Sequence, residues 1–265
     1  MTPVRVVPYA PDLPRWPAWQ SLKVAVMADL HACRPWTYLH IIRGLVEQVN
    51  ALSPDLILLP GDFAGHCAFS FPIPPQKTAH ELSGLRAPLG VFAVSGNHDW
   101  KDDMPARKGR KSRTIWHDAL EGAGIPVLAN QNVILTHRDT QFALAGIESQ
   151  RAYGRKKQVG RGAHDVEKAL DGIPADMFTL LVAHEPDIFE ELDRPVDLTI
   201  SGHTHGGQIR LFGRPWVVPS DYGTRLAYGL HQRGDKALVV SGGIGYSGLP
   251  LRIDVPPELN LVTLS

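Results

Sequence analysis

The sequence predicts an α/β layered fold built as a single domain, and two observations carry that reading. Apolar runs of strand length alternate with segments of helical period, the pattern that stacks helices on sheets. The 25 glycines and 22 prolines are spread along all 265 residues, so no linker divides the chain. That length suits one large domain with a proper core.

The elements follow in order. Residues 22–28 form an apolar run that ends at Asp29 and read as a buried strand. Residues 37–52 place Leu39, Ile42, Leu45, Val46 and Val49 at helical spacing. Residues 56–59 are a second short strand stopped by Pro60-Gly61, and 91–94 a third stopped by Gly96. A helix is expected near 112–122, strands at 132–136 and 142–147, and a helix near 164–170. Strand patterns recur at 178–183, 198–201, 236–241 and 259–264. Residues 1–21, rich in proline and carrying Trp16 and Trp19, read as an N-terminal extension ahead of one domain at 22–265. The two tryptophans are expected to pin that extension to the core.

Composition removes several classes of function. Lysine plus arginine and aspartate plus glutamate each total 27, a formal net charge of +0. No global attraction to nucleic acid follows from that balance. No apolar run approaches the ~18 residues of a membrane helix, and the N-terminus lacks the basic-then-apolar pattern of a secretory signal. The expected location is the cytoplasm, with peripheral membrane contact left open. Cys33 and Cys67 cannot build a disulfide framework.

What points to chemistry is where the polar residues fall. Asp29 and His31 follow the first strand, Asp62 the second, and Asn97, His98 and Asp99 the third. His184 follows the strand at 178–183, and His203 and His205 the strand at 198–201. In open α/β sheets that carboxyl edge is where ligands bind. Mixed oxygen and imidazole donors suit borderline divalent metals such as Mn²⁺, Fe²⁺, Zn²⁺ or Co²⁺, whereas Ca²⁺ wants oxygen alone. Two metals roughly 3.5–4 Å apart also need a bridging carboxylate, and Asp62, between a strand and a glycine-rich turn, suits that role. Alternation in Asp29-x-His31 and His203-x-His205 puts each pair on one side of an extended segment.

Each residue taken alone has a plainer explanation. Asp62 after Gly61 could form an Asx-turn, Asp99 could cap a helix, and His98 could be a satisfied core histidine. Independent turn residues have no reason to give Asp-x-His, Gly-Asp, Gly-Asn-His-Asp and Gly-His-Thr-His in one chain. The joint pattern is the signal.

In that order the blocks Asp29-Leu30-His31, Gly61-Asp62, Gly96-Asn97-His98-Asp99, His184 and Gly202-His203-Thr204-His205 resemble the signature of the calcineurin-like metallophosphoesterase superfamily. The stretches SGHTHGGQIR at 201–210 and VSGGIGYSGLPLR at 240–252, with Pro256-Pro257-Glu258, resemble a bacterial branch that contains phosphodiesterases and lipid-A-precursor pyrophosphatases. The resemblance implies a four-layered α/β/β/α sandwich with mixed sheets. It also implies metal ligands: Asp29, His31 and His205 on one ion, Asn97, His184 and His203 on the other, and Asp62 between them. The implied cofactor is two divalent ions, manganese foremost, with iron, zinc, cobalt or nickel as alternatives. His98 is implied to sit near the substrate phosphate, steered by Asp99.

The implied reaction is hydrolysis of a phosphodiester, extending to phosphomonoesters, in a small-molecule substrate, with a metal-bound hydroxide as nucleophile. Pyrophosphate cleavage in a nucleotide-linked lipid is an alternative reading, as is a non-catalytic scaffold of the same fold. A scaffold should show gaps among its ligands, and none of the seven positions is missing. The chain departs from the family elsewhere. Phe63-Ala64-Gly65 replaces the run that follows this aspartate in phosphoprotein phosphatases, and the membrane segment common in the nearest branch is not seen. Basic loops at 101–113 and 151–161 could frame an anionic substrate or be ordinary solvated loops. Oligomeric state is not read from the sequence.

Overall fold

Period-two alternation decides which way each strand faces, and it builds two sheets with two cores. The computed structural model describes residues 4–65, 67–154 and 162–265. Arg155, Lys156, Lys157 and Arg161 of the second basic loop lie outside them.

The first sheet has five strands in the order β1 (Arg5–Tyr9), β15 (Glu258–Leu264), β2 (Leu22–Val26), β4 (Leu56–Leu59) and β6 (Val91–Ala93). β2, β4 and β6 run parallel, as do β1 and β15, and β15 is antiparallel to β2. The second sheet has six, in the order β13 (Gly229–Arg233), β14 (Lys236–Val240), β10 (Leu198–Ser201), β9 (Thr179–Val182), β8 (Thr140–Gly146) and β7 (Gln131–His137). Its four central strands are parallel and its two edge strands antiparallel.

Val24, Val26, Leu56 and Leu58 of the first sheet share a core with Leu180, Val182, Leu198 and Ile200 of the second. The opposite faces take helices. Ala25, Ile57 and Leu59 pack under α1 (Leu39–Ala51), α2 (Pro75–Leu82) and α5 (Ile115–Gly122). Ala145 and Leu181 pack under α6 (Val166–Ala169) and α7 (Ile188–Glu191). These are the four layers α/β/β/α. α1 holds its place through Ile42, Leu45, Val46 and Val49, all buried; truncating one of them to alanine should cost about 2–4 kcal/mol.

Residues 4–21 are woven into this body. β1 pairs along its whole length with β15. Trp16 is buried edge-on against Phe142 and Phe178, and its indole donates to the Gln20 carbonyl. Trp19 does not share that role, being 80% exposed. Four small elements complete the fold beside the carboxyl ends of the parallel strands: β3 (Cys33–Arg34) paired with β5 (Phe71–Pro72), and the hairpin β11 (Arg210–Leu211) to β12 (Arg214–Pro215). Two short helices, α3 (Asn97–Asp102) and α4 (Met104–Arg107), follow β6 directly.

Candidate metal centre

The parallel strands of both sheets deliver their C-terminal loops to one place, and backbone hydrogen bonds join the loops. The Asp29 amide donates to Gly61, the His31 amide to Asp62, the Gly202 amide to His184, and the Gly245 amide to Asp29. Asp29, His31, Asp62, His203 and His205 all have positive φ, between 44° and 72°. Left-handed backbone is unfavourable for such residues, and it concentrates here on groups that must point inward.

Two clusters form. Asp29, His31 and His205 offer one set of donor atoms, and Asp62, His184 and His203 another, with the atoms of each set within 4.8 Å of one another. Asp62 Oδ2 lies 3.5 Å from His31 Nε2 and 3.3 Å from His184 Nε2, so one carboxylate oxygen faces a histidine of each cluster. Its Oδ1 accepts from the His98 amide at 2.8 Å. The Asn97 Oδ1 atom is 3.3 Å from His184 Nε2, which puts the amide with the second cluster.

The imidazole tautomers are set by the backbone. A carbonyl oxygen can only accept, so a ring nitrogen facing one carries the proton. His31 Nδ1 donates to Ala64 at 2.9 Å, His184 Nδ1 to Pro60 at 2.7 Å, and His203 Nε2 to Pro219 at 2.9 Å. The opposite nitrogens turn inward, His31 Nε2 to within 3.0 Å of His205 Nε2, and His203 Nδ1 to within 3.2 Å of His184 Nε2. Carbonyls that orient imidazoles in this way are the usual support of metal ligands. The donor set and its inward lone pairs fit two divalent ions.

His205 is held differently. Its Nδ1 is 3.0 Å from Nη2 of Arg252, which has donors only, so that nitrogen accepts. The ring proton therefore sits on Nε2, facing His31 Nε2, and a metal bound there must displace it. Arg252 is itself fixed by the carbonyls of Gly242 and Gly245, and burial lowers its pKa to about 10. Nothing in the sequence pairs Arg252 with a histidine 47 positions away.

Burial also governs the charges. Desolvation lowers His31 to about 3, and holds His203 and His205 well below the ordinary histidine value. Desolvation raises Asp29 to about 7. His184 and Asp62 run against burial: each stabilises the charged form of the other, so the imidazole is raised and the carboxyl lowered.

His98 lines the mouth of the site, its ring edge-on to His31 with centroids 5.0 Å apart. Asp99 turns to the backbone. Its Oδ2 accepts from the amides of Gly96 and Asp62, at 2.8 and 3.0 Å, and its Oδ1 from Ala64 at 2.9 Å. Burial and the neighbouring Asp62 raise its pKa to about 8. These bonds tie the loop bearing Asp62 to the start of α3, a task that the expected steering of His98 does not describe. Behind α3, Glu148 accepts from the Trp100 indole and from His117, both at 2.7 Å.

A cleft of about 450 Å³ opens over the clusters, lined by Asp62, Asn97 and His98 together with Lys101, Arg107 and Arg151. Arg151 is paired with Asp187 and Asp221. Of the first basic loop, only Lys101 and Arg107 are among the residues that line this cleft; Lys111 and Arg113 pair with Asp103 and Glu121.

Comparison with known proteins agrees with the geometry. The profile of the calcineurin-like phosphoesterase family matches residues 22–207. The phosphodiesterase YaeI of Escherichia coli (strain K12) is 32% identical over 245 residues, covering 91% of this chain and 82% of its own. A Caenorhabditis elegans relative is 30% identical over 251 residues, covering 92% of this chain, which spans only 48% of that protein's length. Among solved structures, the Haemophilus influenzae NAD nucleotidase superposes on 84% of this chain and 45% of its own with a TM-score of 0.51; at 13% identity it speaks to the fold alone. The family match and the relatives together identify the chain as a member of the calcineurin-like phosphoesterase family, a hydrolase of phosphate esters.

Proposed function

We propose that the chain hydrolyses phosphodiesters with two divalent ions, manganese foremost, and accepts phosphomonoesters as well. Asp29, His31 and His205 would hold one ion, Asn97, His184 and His203 the other, and Asp62 would bridge them. The single observation that carries this is the set of inward-facing ring nitrogens, three of them locked by the carbonyls of Ala64, Pro60 and Pro219. Bound there, the ions would acidify a water for attack and stabilise charge on the phosphoryl oxygens.

The protein's own groups do the rest. His98, at the cleft mouth, donates a proton to the leaving oxygen, a contribution typically worth ~10²–10⁴-fold. Asp99 keeps the Asp62 and α3 loops in register through three amides. Lys101 and Arg107 attract the anionic substrate and would also suit a second phosphate. That last point favours, as a second reading, pyrophosphate cleavage in a nucleotide-linked lipid.

The test is metal-reconstituted protein assayed side by side on mono-, di- and pyrophosphate esters, with Asp62→Ala as control. Diester turnover that disappears together with bound metal in the variant is the expected result. Equal turnover by the variant overturns the assignment.

A further inference from the structure

Beside the metal cleft the surface turns apolar. A groove of about 400 Å³ starts at His203, His205 and Pro219 and runs out along Ile209, Trp216 and Leu249. It shares His203, Pro219 and Ser247 with the cleft, so the two form one continuous depression. Beyond the groove, apolar side chains project into solvent. Phe212, at the tip of the β11–β12 hairpin, is fully exposed, Trp216 is largely so, and Leu211 and Leu249 are about half exposed. A second knob, Phe69 and Phe71, stands on and next to β5.

These knobs belong to one fixed surface. The Arg210 amide donates to Ile253, and the Ile253 amide to Gln208, tying the hairpin to the segment before β15. The Ala68 amide donates to Gly248, tying the second knob to the same segment. Soluble proteins seldom leave a large contiguous patch of this kind uncovered unless it meets a partner.

Charge selects the partner. Residues 206–220, 242–253 and 63–80 contain no aspartate or glutamate. Exposed arginines stand beside both knobs: Arg214 is paired with Leu211 across the hairpin, and Arg34 with Phe71 across β3 and β5. A rim of Phe, Trp and Leu with cations, and with acids only beyond the ends of these segments at Asp62, Glu81, Asp221 and Asp254, fits the boundary between anionic headgroups and acyl chains. A second copy meeting this face about a two-fold axis would set arginine patch against arginine patch.

We propose that this rim seats on an anionic lipid bilayer, with the metal cleft facing the membrane surface. What the seated site would cleave, a phosphate ester presented by that surface, rests on the function proposed above; the seating itself does not.

The experiment is sedimentation with vesicles of phosphatidylcholine alone and of equimolar phosphatidylcholine and phosphatidylglycerol. Wild type, Leu211→Ser/Phe212→Ser and Arg214→Glu are compared, and each is also assayed on a soluble diester and melted thermally. Wild type should bind the anionic vesicles roughly 10-fold or more tightly than the neutral ones, the scale expected of one or two arginines near such a surface. Leu211→Ser/Phe212→Ser should lower binding to the anionic vesicles by roughly 10-fold, and Arg214→Glu should narrow the preference for them. Soluble diesterase activity and Tm should stay at the wild-type level in both variants. Wild type left in the supernatant with both vesicles overturns the proposal, as do variants that bind like wild type. A concentration-dependent dimer abolished by Leu211→Ser/Phe212→Ser also overturns it, assigning the face to a second copy. An inactive wild type that still binds anionic vesicles would count against the proposed diesterase function alone.

Discussion

Gly96→Ala tests how tightly the site is built. Gly96 has φ −96° and ψ 177°, a conformation open to any residue, so alanine brings no backbone strain. What it brings is a Cβ at 2.2 Å from Asp62 Oδ1 and 2.5 Å from the Asp62 amide nitrogen, where ordinary contact begins near 3.4 Å. The carboxylate and the α3 start must therefore separate by about 1.2 Å. The loops cannot slide freely, because Asp99 clamps the amides on both sides of the gap. A shift of ~1 Å in a reacting geometry is enough to cost about 10²-fold. Overpacking of this kind typically lowers stability by ~1–3 kcal/mol, or a few degrees in Tm for a chain of this size. The assay is diester turnover at saturating Mn²⁺, with bound metal measured by elemental analysis and Tm by calorimetry. The expected outcome is a loss of about 10²-fold in turnover with depleted metal, while the protein still folds. Wild-type turnover and full metal occupancy in Gly96→Ala would show that Asp62 has room to move, and the bridging role would lose its structural basis.

Other outcomes follow from the same geometry. His98→Ala should keep metal content near normal and cut turnover by roughly 10²-fold or more; equal loss of metal would make His98 a structural residue. Asp99→Ala strands three buried amides at ~1–3 kcal/mol each, so Tm and metal content should fall together. A variant that is stable and metal-replete but slow would restore the steering role. His184 is raised above its ordinary pKa by Asp62, against the effect of burial, so Asp62 favours its protonated form without metal. A metal at Nε2 competes with a proton there, so affinity should weaken as pH falls and binding should release protons. Calorimetric titration in buffers of different ionisation enthalpy reads the release, and none would contradict the ligand assignment. Burial and the adjacent Cys33, 3.9 Å away, raise the Cys67 thiol to about 11. Its alkylation at pH 8 should run roughly 10²-fold slower than that of free cysteine, and rapid labelling of native protein would refute the burial.

Metal ligation narrows the choice of residue type, so the seven expected ligands stood out in the sequence once each followed a strand-like run. The sheets were legible for a related reason: strands buried on both faces, such as Leu56–Leu59 and Thr179–Val182, read as unbroken apolar runs. The elements that sequence patterning missed lie where that pressure is weak. β1 carries Pro8 and exposed positions because it is an edge strand. β13, with three of its five residues exposed, forms the other sheet's edge. α2 begins in a proline-rich stretch that hides its helical period.

The supports of the site were illegible for a different reason. Three imidazoles take their tautomers from the carbonyls of Ala64, Pro60 and Pro219, and a carbonyl is present at every residue whatever its side chain. Only the path of the backbone makes those three matter. Asp99 shows the same gap from the other side. Its neighbour in the sequence is His98, and the motif suggests that the two act together, yet its oxygens are used to hold three amides. Residue types therefore announce which atoms can bind a metal, whereas the positive-φ turns and loop-to-loop hydrogen bonds determine which way those atoms point. Substitutions at Gly96 or Asp99 should consequently impair the centre much as loss of a ligand does, because each displaces Asp62 without removing any donor.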